Sequence, residues 1–581
     1  KFNKRSKYLF LIILILLGAL LVRLWGIGFG LPQIQIIDES GNVYFAFYTA
    51  ANGLRPLRYF YGPLIPYILV LEYGVYFVLG KLAGFFSTPT NFFISYLSNP
   101  TPFLIIGRVT MAIAGVISVW LMWRIGTKFF SKRVGLISAF FLAFTFLHVR
   151  ESHYIKEDVL AGLFVLATFY ECLVILKNRS LKHYVLSGIF FALALAAKYP
   201  AGLILPVVLI AHFIAVRRKL GLKELLIFAI SSALTFFITN PYFAIEFKES
   251  LIKTIVESGI NRIVYPEYLQ GKPVWLWFAS VHIPQGIGIP LFIASAVGFL
   301  LIIVKAKTKK EYVLIPIMPF LFFTTIDLWS KYHFARYSVM ILPFFALSAA
   351  ILLDKTGERI KDKQKRTLFL LFASLFLIAQ SFLRVLKFDR IITSPDTRAI
   401  SAKWVESNIP QGAKILVEST IKPEYPSQLG TPLVLAEKGI DRRIEDSRKV
   451  GYPATYLTSL KIANQGKIGF DIISTPRIDL KDNIITGEQS FLESAKYYQD
   501  IKAEYLILSS WAIEPGIKKD FKETILDYYK PIAQFRSKPE LRSDPLWVDI
   551  DYENLDKINI FDRSLVFGPV INIYQLKSSS K

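Results

Sequence analysis

The chain has 581 residues, of which 53% are hydrophobic, 15% aromatic and only 19% charged; with a mean hydropathy of +0.43 this excludes an ordinary soluble domain. The formal net charge of +24 does not point to nucleic acid, because Lys and Arg gather between apolar runs of about 17–25 residues, the length that crosses the hydrocarbon of a bilayer, where positive charge sets orientation. A polytopic membrane protein follows, and its single cysteine, Cys172, permits no intramolecular disulfide.

The opening stretch KFNKRSKYLFLIILILLGALLVRLWG has an apolar run too long for a signal peptide and no small-residue cleavage site after it, so a retained first span is expected at 8–29. IIDESGNVYFAFYTAANG comes next, with Asp38 and Glu39 side by side. Read alone, these acids serve equally as the first turn of a capped helix and as chemical groups. Basic clusters occur at 1–7, 124–133, 177–182, 217–223, 305–310 and 354–366. If all face the cytoplasm, each consecutive pair encloses an even number of crossings. The condition is met by spans near 8–29, 103–125, 134–149, 159–176, 184–198, 200–216, 224–240, 281–304, 312–328, 338–353 and 367–387, eleven in all, with the N-terminus inside. The apolar stretch 63–86 is then surplus. It carries Pro63, Pro66, Glu72 and Lys81, and charged side chains at bilayer depth cost about 2.5–3.5 kcal/mol each, so an interfacial helix is expected there. Beyond about 390 the charge density rises, and β-rich runs such as AKILVES, GFDIIS, AEYLILSS and INIYQLK alternate with helical ones. A membrane domain over 1–389 and an extracytoplasmic α/β domain over 390–581 are expected.

With that orientation the external loops hold most of the remaining polar chemistry: Asp38, Glu39, Arg55, Arg58 and Tyr61; then HVRESHYIKED with His148, Arg150, Glu151, His153, Lys156, Glu157 and Asp158; then Lys198 and Tyr199; then Arg262 and His282; and finally Lys331, His333 and Arg336. A carboxylate at a span mouth suits a general base, and Arg and Lys at other mouths suit a phosphate. Each element also has a plainer reading: the cations meet lipid phosphates, and the aromatics form an interfacial belt. His148 and His153 are five apart, without the spacing or partners of a metal site.

The order of these features resembles the glycosyltransferase-C superfamily, in particular its protein O-mannosyltransferase and lipid A aminoarabinose transferase branch. The resembling stretches are DESGNVYFAFYTAANG, YFYGPLIPYIL, the run from GRVTMAIAGVISVWLMWRIG to HVRESHYIKEDVLAGLF, ALAAKYPAGLILPVVL and FARYSVMILPFFAL, about 390 residues in all, with a weaker echo in TRAISAKWVESNIPQGAKILVE. The resemblance implies an inverting transfer of a sugar from a polyprenyl-phosphate carrier to an acceptor hydroxyl on the outer side of the cell membrane. Asp38 is then the general base, Glu39 its orienter or a second acid, and Asp158 an acid near the donor head group. It also implies Arg336, Tyr337 and Lys198 as donor-site residues; placement on the outer face adds Arg58, Tyr61, Arg150, His153 and Lys156 as further donor candidates and His282 and Arg262 as acceptor or loop candidates. Where aminoarabinose transferases carry Glu-Lys-Pro this chain has Tyr61-Gly62-Pro63, which disfavours an aminoarabinose donor and favours a neutral hexose such as mannose or glucose. Because a phosphate monoester is a stable leaving group, no cofactor or metal is expected to be required. The expected partners are the polyprenyl-phosphate-linked sugar, the bilayer, and an acceptor protein, lipid or glycan. A transporter and a noncatalytic scaffold are the competing classes; a transporter would place paired charges near the midplane, often on broken helices repeated in two halves.

Overall fold

The computed structural model describes residues 4–32, 37–59, 61–217, 220–260, 273–330, 333–395, 397–418, 435–449, 454–475, 480–481, 484–485, 502–509, 528–536 and 570–577. Its first half runs through α1 (Lys4–Leu24), α2 (Ile37–Ala51), α3 (Leu64–Leu82), α4 (Pro89–Ser98), α5 (Thr101–Ile125), α6 (Lys132–Ala143), α7 (Phe146–Glu151), α8 (Glu157–Ile175) and α9 (Leu181–Ala197). Caps and prolines set the helix boundaries: the Ser131 and Asp362 side chains accept from the N–H of Val134 and Lys365, and proline occupies the first turn of α4 and α5.

Among the described residues nine helices are long and apolar enough to cross a membrane, and the pair Val274–Ile287 and Ile289–Lys305, bent by 118°, makes up to ten. Eight of the eleven expected spans coincide with these nine helices, and the bent pair covers the expected 281–304. The expected span at 184–198 is α9, a shorter apolar helix of 17 residues. The expected span at 134–149 is corrected: the helix breaks after Ala143, giving α6 of 12 residues and α7 of 6. The ninth long helix is α3, which by length and hydropathy qualifies as a span. Glu72 bonds Thr110, the Tyr73 hydroxyl donates to Phe103 O at 3.0 Å, and Tyr76 and Phe77 pack on Phe86, Phe92 and Phe103. These partners run from the turn after α3 to the third turn of α5, so α3 packs beside the N-terminal part of α5.

The parity condition has a direct structural counterpart. Lys132 lies over the Tyr8 ring, Arg133 pairs with Asp354 at 2.5 Å, Lys177 with Glu311 at 3.2 Å, Arg179 with Glu224, and Lys309 donates to Phe129 O at 2.7 Å. These contacts bring all six basic clusters, or their immediate neighbours, to one end of the bundle. The charged loop residues gather at the other.

The C-terminal region builds a five-stranded sheet in the order β2-β1-β5-β7-β6, from β1 (Lys414–Glu418), β2 (Asp471–Thr475), β5 (Tyr505–Ser509), β6 (Tyr529–Phe535) and β7 (Ile571–Leu576), besides the small pair β3 (Leu480–Lys481) and β4 (Ile484–Ile485). β1 is parallel to β2 and β5, and β7 is antiparallel to β5 and β6. Alternation of side chains divides its core: Ile415, Val417 and Ile507 join Val405 on one face, while Leu416, Leu506 and Leu508 join Tyr529 on the other. Tyr456, on the helix Ala454–Asn464, meets Tyr44 of α2 at 5.7 Å and Phe93 of α4 at 6.1 Å between ring centroids, which seats this region against the helix that carries Asp38.

Candidate active site

The phase of α2 separates its two acids. Val43 and Ala46 lie on the buried side of the helix and so does Glu39, at 0% exposure. Asp38 is one step, about 100°, around the helix, shares a face with Gly41, Asn42 and Phe45, and is 46% exposed. Glu39 is held by Arg108 of α5 in a bidentate pair, with Nε to Oε1 at 2.8 Å and Nη2 to Oε2 at 2.6 Å. Its Oε1 also accepts from the Ile155 N–H at 3.2 Å. Arg108 in turn donates to Ile27 O and Phe29 O at 2.7 and 2.8 Å and lies 3.8 Å over the Phe29 ring. This corrects the reading of Glu39 as a second acid: both its oxygens are engaged in a buried pair. What it does is fix the start of α2 against the loop before α8.

That fixation brings Asp38 to its cations. Lys156 Nζ lies 3.4 Å from Asp38 Oδ2, and Arg336 Nη2 lies 3.8 Å from the same oxygen. Arg336 Nε is 3.9 Å from Asp158 Oδ2, while Lys198 pairs with Asp158 Oδ1 at 2.6 Å with both side chains buried. Lys198 also faces the rings of Tyr337 at 4.6 Å and Tyr61 at 5.2 Å. Desolvation works to raise the Asp38 carboxyl, but Lys156, Arg336 and Lys198 outweigh it and hold it below the ordinary carboxylate range. Burial among these groups pushes the Tyr61 hydroxyl well up, so Tyr61 is a neutral donor at neutral pH.

A cleft of about 260 Å³ opens onto this cluster, lined among others by Asp38, Arg58, Tyr61, Glu157, Arg336 and Tyr337; it lies near the lower end of ordinary small-ligand clefts, about 300 Å³. Arg58 sits over the Phe45 ring at 5.3 Å. Asp38, Lys156, Asp158, Lys198, Arg336, Tyr337, Tyr61 and Arg58, taken from separate stretches of sequence, therefore converge. Arg150 does not line the cleft: it is buried and donates through Nε to Glu151 at 2.8 Å. His153 turns inward, with its ring nitrogens at Val149 O and Trp25 O, and burial lowers it to about 4. His148 faces Arg23 Nη2 at 2.9 Å, so the two histidines share no ligand position. His282 is buried against His333 at 3.0 Å, with Trp277 stacked on His333 at 4.5 Å, and is likewise absent from the cleft lining. Arg262 lies outside the described residues.

Three further residues belong to the site, of which the sequence reading named only Glu157, as one of the external-loop charges. Arg108 is one, and a lone Arg in an apolar span was itself the signal, since such a group needs a partner. The others are Asn42, one helical turn beyond Asp38, and Glu157, beside Asp158; both line the cleft. Gly62 explains the Tyr-Gly-Pro sequence, because a Cβ there would stand 1.9 Å from the backbone oxygen of Ala196, and the Tyr199 hydroxyl fastens the same segment through Tyr59 O at 2.9 Å. Gly62→Ala is expected to displace the Tyr61 wall and destabilise the protein by about 1–3 kcal/mol or more, read as a lowered melting temperature in detergent.

Residues 105–243 match the family profile described as dolichyl-phosphate-mannose-protein mannosyltransferase, a segment that holds Arg108, Lys156, Glu157, Asp158 and Lys198. The fold is similar to the Archaeoglobus fulgidus oligosaccharyltransferase in its apo form, with 13% identity and a TM-score of 0.51 over 96% of this chain and 78% of that one. It is also similar to the archaeal oligosaccharyltransferase AglB from the same organism in complex with an inhibitory peptide and a dolichol-phosphate (14%, TM-score 0.49, 92% and 74%), and to ArnT from Cupriavidus metallidurans in the apo state (11%, TM-score 0.47, 97% of each). No curated protein matches the chain. Over residues 105–243 the chain is thus similar to a family of membrane glycosyltransferases, and its fold is similar to that of the Archaeoglobus fulgidus oligosaccharyltransferase.

Proposed function

We propose that the chain transfers a sugar, most suitably a neutral hexose such as mannose or glucose, from a polyprenyl-phosphate donor to an acceptor hydroxyl at the outer face of the cell membrane. One observation carries the reading: an accessible carboxylate, Asp38, lies between Lys156 and Arg336 at the mouth of a cleft backed by Lys198–Asp158. The description of the matched family, whose donor is a mannosyl phosphate on a polyprenol, supports this donor class. The basic clusters at the opposite end of the bundle support a cytoplasmic N-terminus and an extracytoplasmic site and C-terminal domain.

In this mechanism the donor phosphate enters beside Arg336, Lys156 and Lys198. The acceptor oxygen attacks the anomeric carbon from the face opposite the phosphate as Asp38 takes its proton, and the anomeric C–O bond breaks with its electron pair leaving on the phosphate. Inversion follows from a single displacement. The cations stabilise the charge that develops on the leaving group, in a cleft where water is restricted. They also link binding to basicity. In the free protein Lys156 and Arg336 hold Asp38 low; an arriving phosphate competes for both, and the proton affinity of Asp38 rises when it is needed. The residues in these roles need no metal.

The test is a reconstituted assay with radiolabelled polyprenyl-phosphate-mannose and polyprenyl-phosphate-glucose, offering Ser/Thr peptides, lipid-linked glycans and envelope polymer as acceptors. Labelled product accompanied by free polyprenyl phosphate is expected with one of the donors, and no turnover of either would sink the reading. In the same assay Arg336→Gln is expected to raise the donor KM by about 10–100-fold, the range for losing a hydrogen bond to a charged group. An unchanged KM would remove Arg336 from the phosphate site.

A further inference from the structure

The charged groups around the cleft are not partnered alike. Asp38 faces Lys156 and Arg336, and Asp158 faces Lys198 and Arg336. Glu157 lines the same cleft and is 9% exposed, yet among the described residues the only side chain that donates to it is a neutral amide, Asn42 Nδ2 to Oε1 at 3.3 Å. Asn42 spends its amide on that contact and on Ile155 O at 2.7 Å, which orients its own carbonyl oxygen as an acceptor. This part of the wall therefore combines two acceptors, one of them a carboxylate that is nine-tenths removed from water and, among the described residues, is in no ion pair. A carboxylate so placed is costly unless a ligand brings donors to it.

We propose that Glu157, oriented by Asn42, reads hydroxyl groups of the donor's sugar ring, and that the cleft thereby selects a neutral polyhydroxylated hexose. This rests on the transfer reading above. Hydroxyls of a pyranose are O–H donors that suit the oxygens of one carboxylate, and such a bond to a charged acceptor is of the stronger kind. An ammonium sugar would also satisfy Glu157, but it would enter a cleft lined by Arg58 and Arg336, with Lys156 and Lys198 close behind at Asp38 and Asp158, and their like charge disfavours it. The acids thus divide their work: Asp38 takes the acceptor proton, Asp158 holds Lys198, and Glu157 recognises the sugar.

The deciding experiment compares wild type, Glu157→Gln and Asn42→Ala with polyprenyl-phosphate-linked hexose, its 2-, 3-, 4- and 6-deoxy analogues, and a 2-amino-2-deoxy analogue. At least one deoxy donor is expected to lose about 10–100-fold in kcat/KM with wild type. Glu157→Gln is expected to raise the KM of the parent donor by a similar factor and to shrink that deoxy penalty to within about threefold, a coupling that a merely structural role would not produce. Asn42→Ala is expected to shrink it partly, and it serves as the test should Glu157→Gln fail to fold. Deoxy penalties that persist undiminished in the variants overturn the proposal, as does a collapse of kcat at constant KM, which would put proton transfer on Glu157. Preference of wild type for the amino donor overturns it too. If wild type turns over none of these donors, the transfer reading itself falls and takes this one with it; if wild type is active and only the variants disagree, this proposal alone fails.

Discussion

Asp38→Asn is expected to lower sugar transfer by at least about 100-fold, the lower end of what a positioned general base contributes, while the protein still reaches the membrane and melts where wild type does. Asn preserves the shape of Asp38 and an oxygen for Lys156 but cannot accept the acceptor's proton. Stability should change little, because Asp38 is 46% exposed and ion pairs of such groups contribute weakly. Transfer at the parental rate would remove Asp38 from the chemistry. The pH profile gives a second check. The folded carboxyl lies below its ordinary value of 3.8, so the base form is fully present at neutral pH and is lost only as pH falls through that depressed value. The value of kcat/KM should therefore not fall between about pH 8 and 5 on account of Asp38. Because a bound phosphate draws Lys156 and Arg336 away, the acidic limb of kcat, which reports the donor complex, should lie at higher pH than the limb of kcat/KM, which reports the free enzyme. Coincident limbs would mean that the cations do not move from carboxylate to phosphate.

How far the site could be read in advance depended on what each residue's neighbours in sequence disclosed. Asp38, Lys156, Asp158, Lys198 and Arg336 stand at the mouths of apolar runs, and charge parity alone places such groups on one face; the contacts among the basic clusters at the other end bear out that shared placement. The division between Asp38 and Glu39 was latent in the helix period, since Val43 and Ala46 mark the buried stripe four and seven residues beyond Glu39. His153 escapes the spacing argument because residues 152–156 leave the helical phase of α7, whereas Arg150 keeps that phase and is taken up by its neighbour Glu151. The break after Ala143 involves Phe144 and Thr145, neither of which is a proline or glycine, and the Phe146 N–H donates to the Ser381 hydroxyl oxygen at 2.7 Å, a support from 235 residues away. Such a tertiary partner leaves no local trace.

Removing either member of the Glu39–Arg108 pair is expected to have the largest effect on stability of any single change near the site. Both side chains are at 0% exposure, and breaking a buried pair leaves an uncompensated charge, at a cost of about 3–5 kcal/mol. Glu39→Gln strands the Arg108 guanidinium with only Ile27 O, Phe29 O and an amide; Arg108→Met strands a carboxylate whose remaining donor is the Ile155 N–H. Each should aggregate or melt well below wild type in detergent. The double variant Glu39→Gln/Arg108→Met removes both charges together, so it should recover most of the lost melting temperature. Its transfer rate should stay low, because Arg108 no longer ties position 39 of α2 to the turn at 27–29, and the Asp38–Lys156 distance of 3.4 Å is no longer enforced. This pattern separates neighbours on one helix: Asp38→Asn loses transfer at constant stability, while Glu39→Gln loses both. Were the double variant to recover transfer together with stability, the pair would be a strut for the fold alone, and the position of Asp38 would have to be set by the aromatic packing of Phe47 on Tyr73, Phe92 and Phe103.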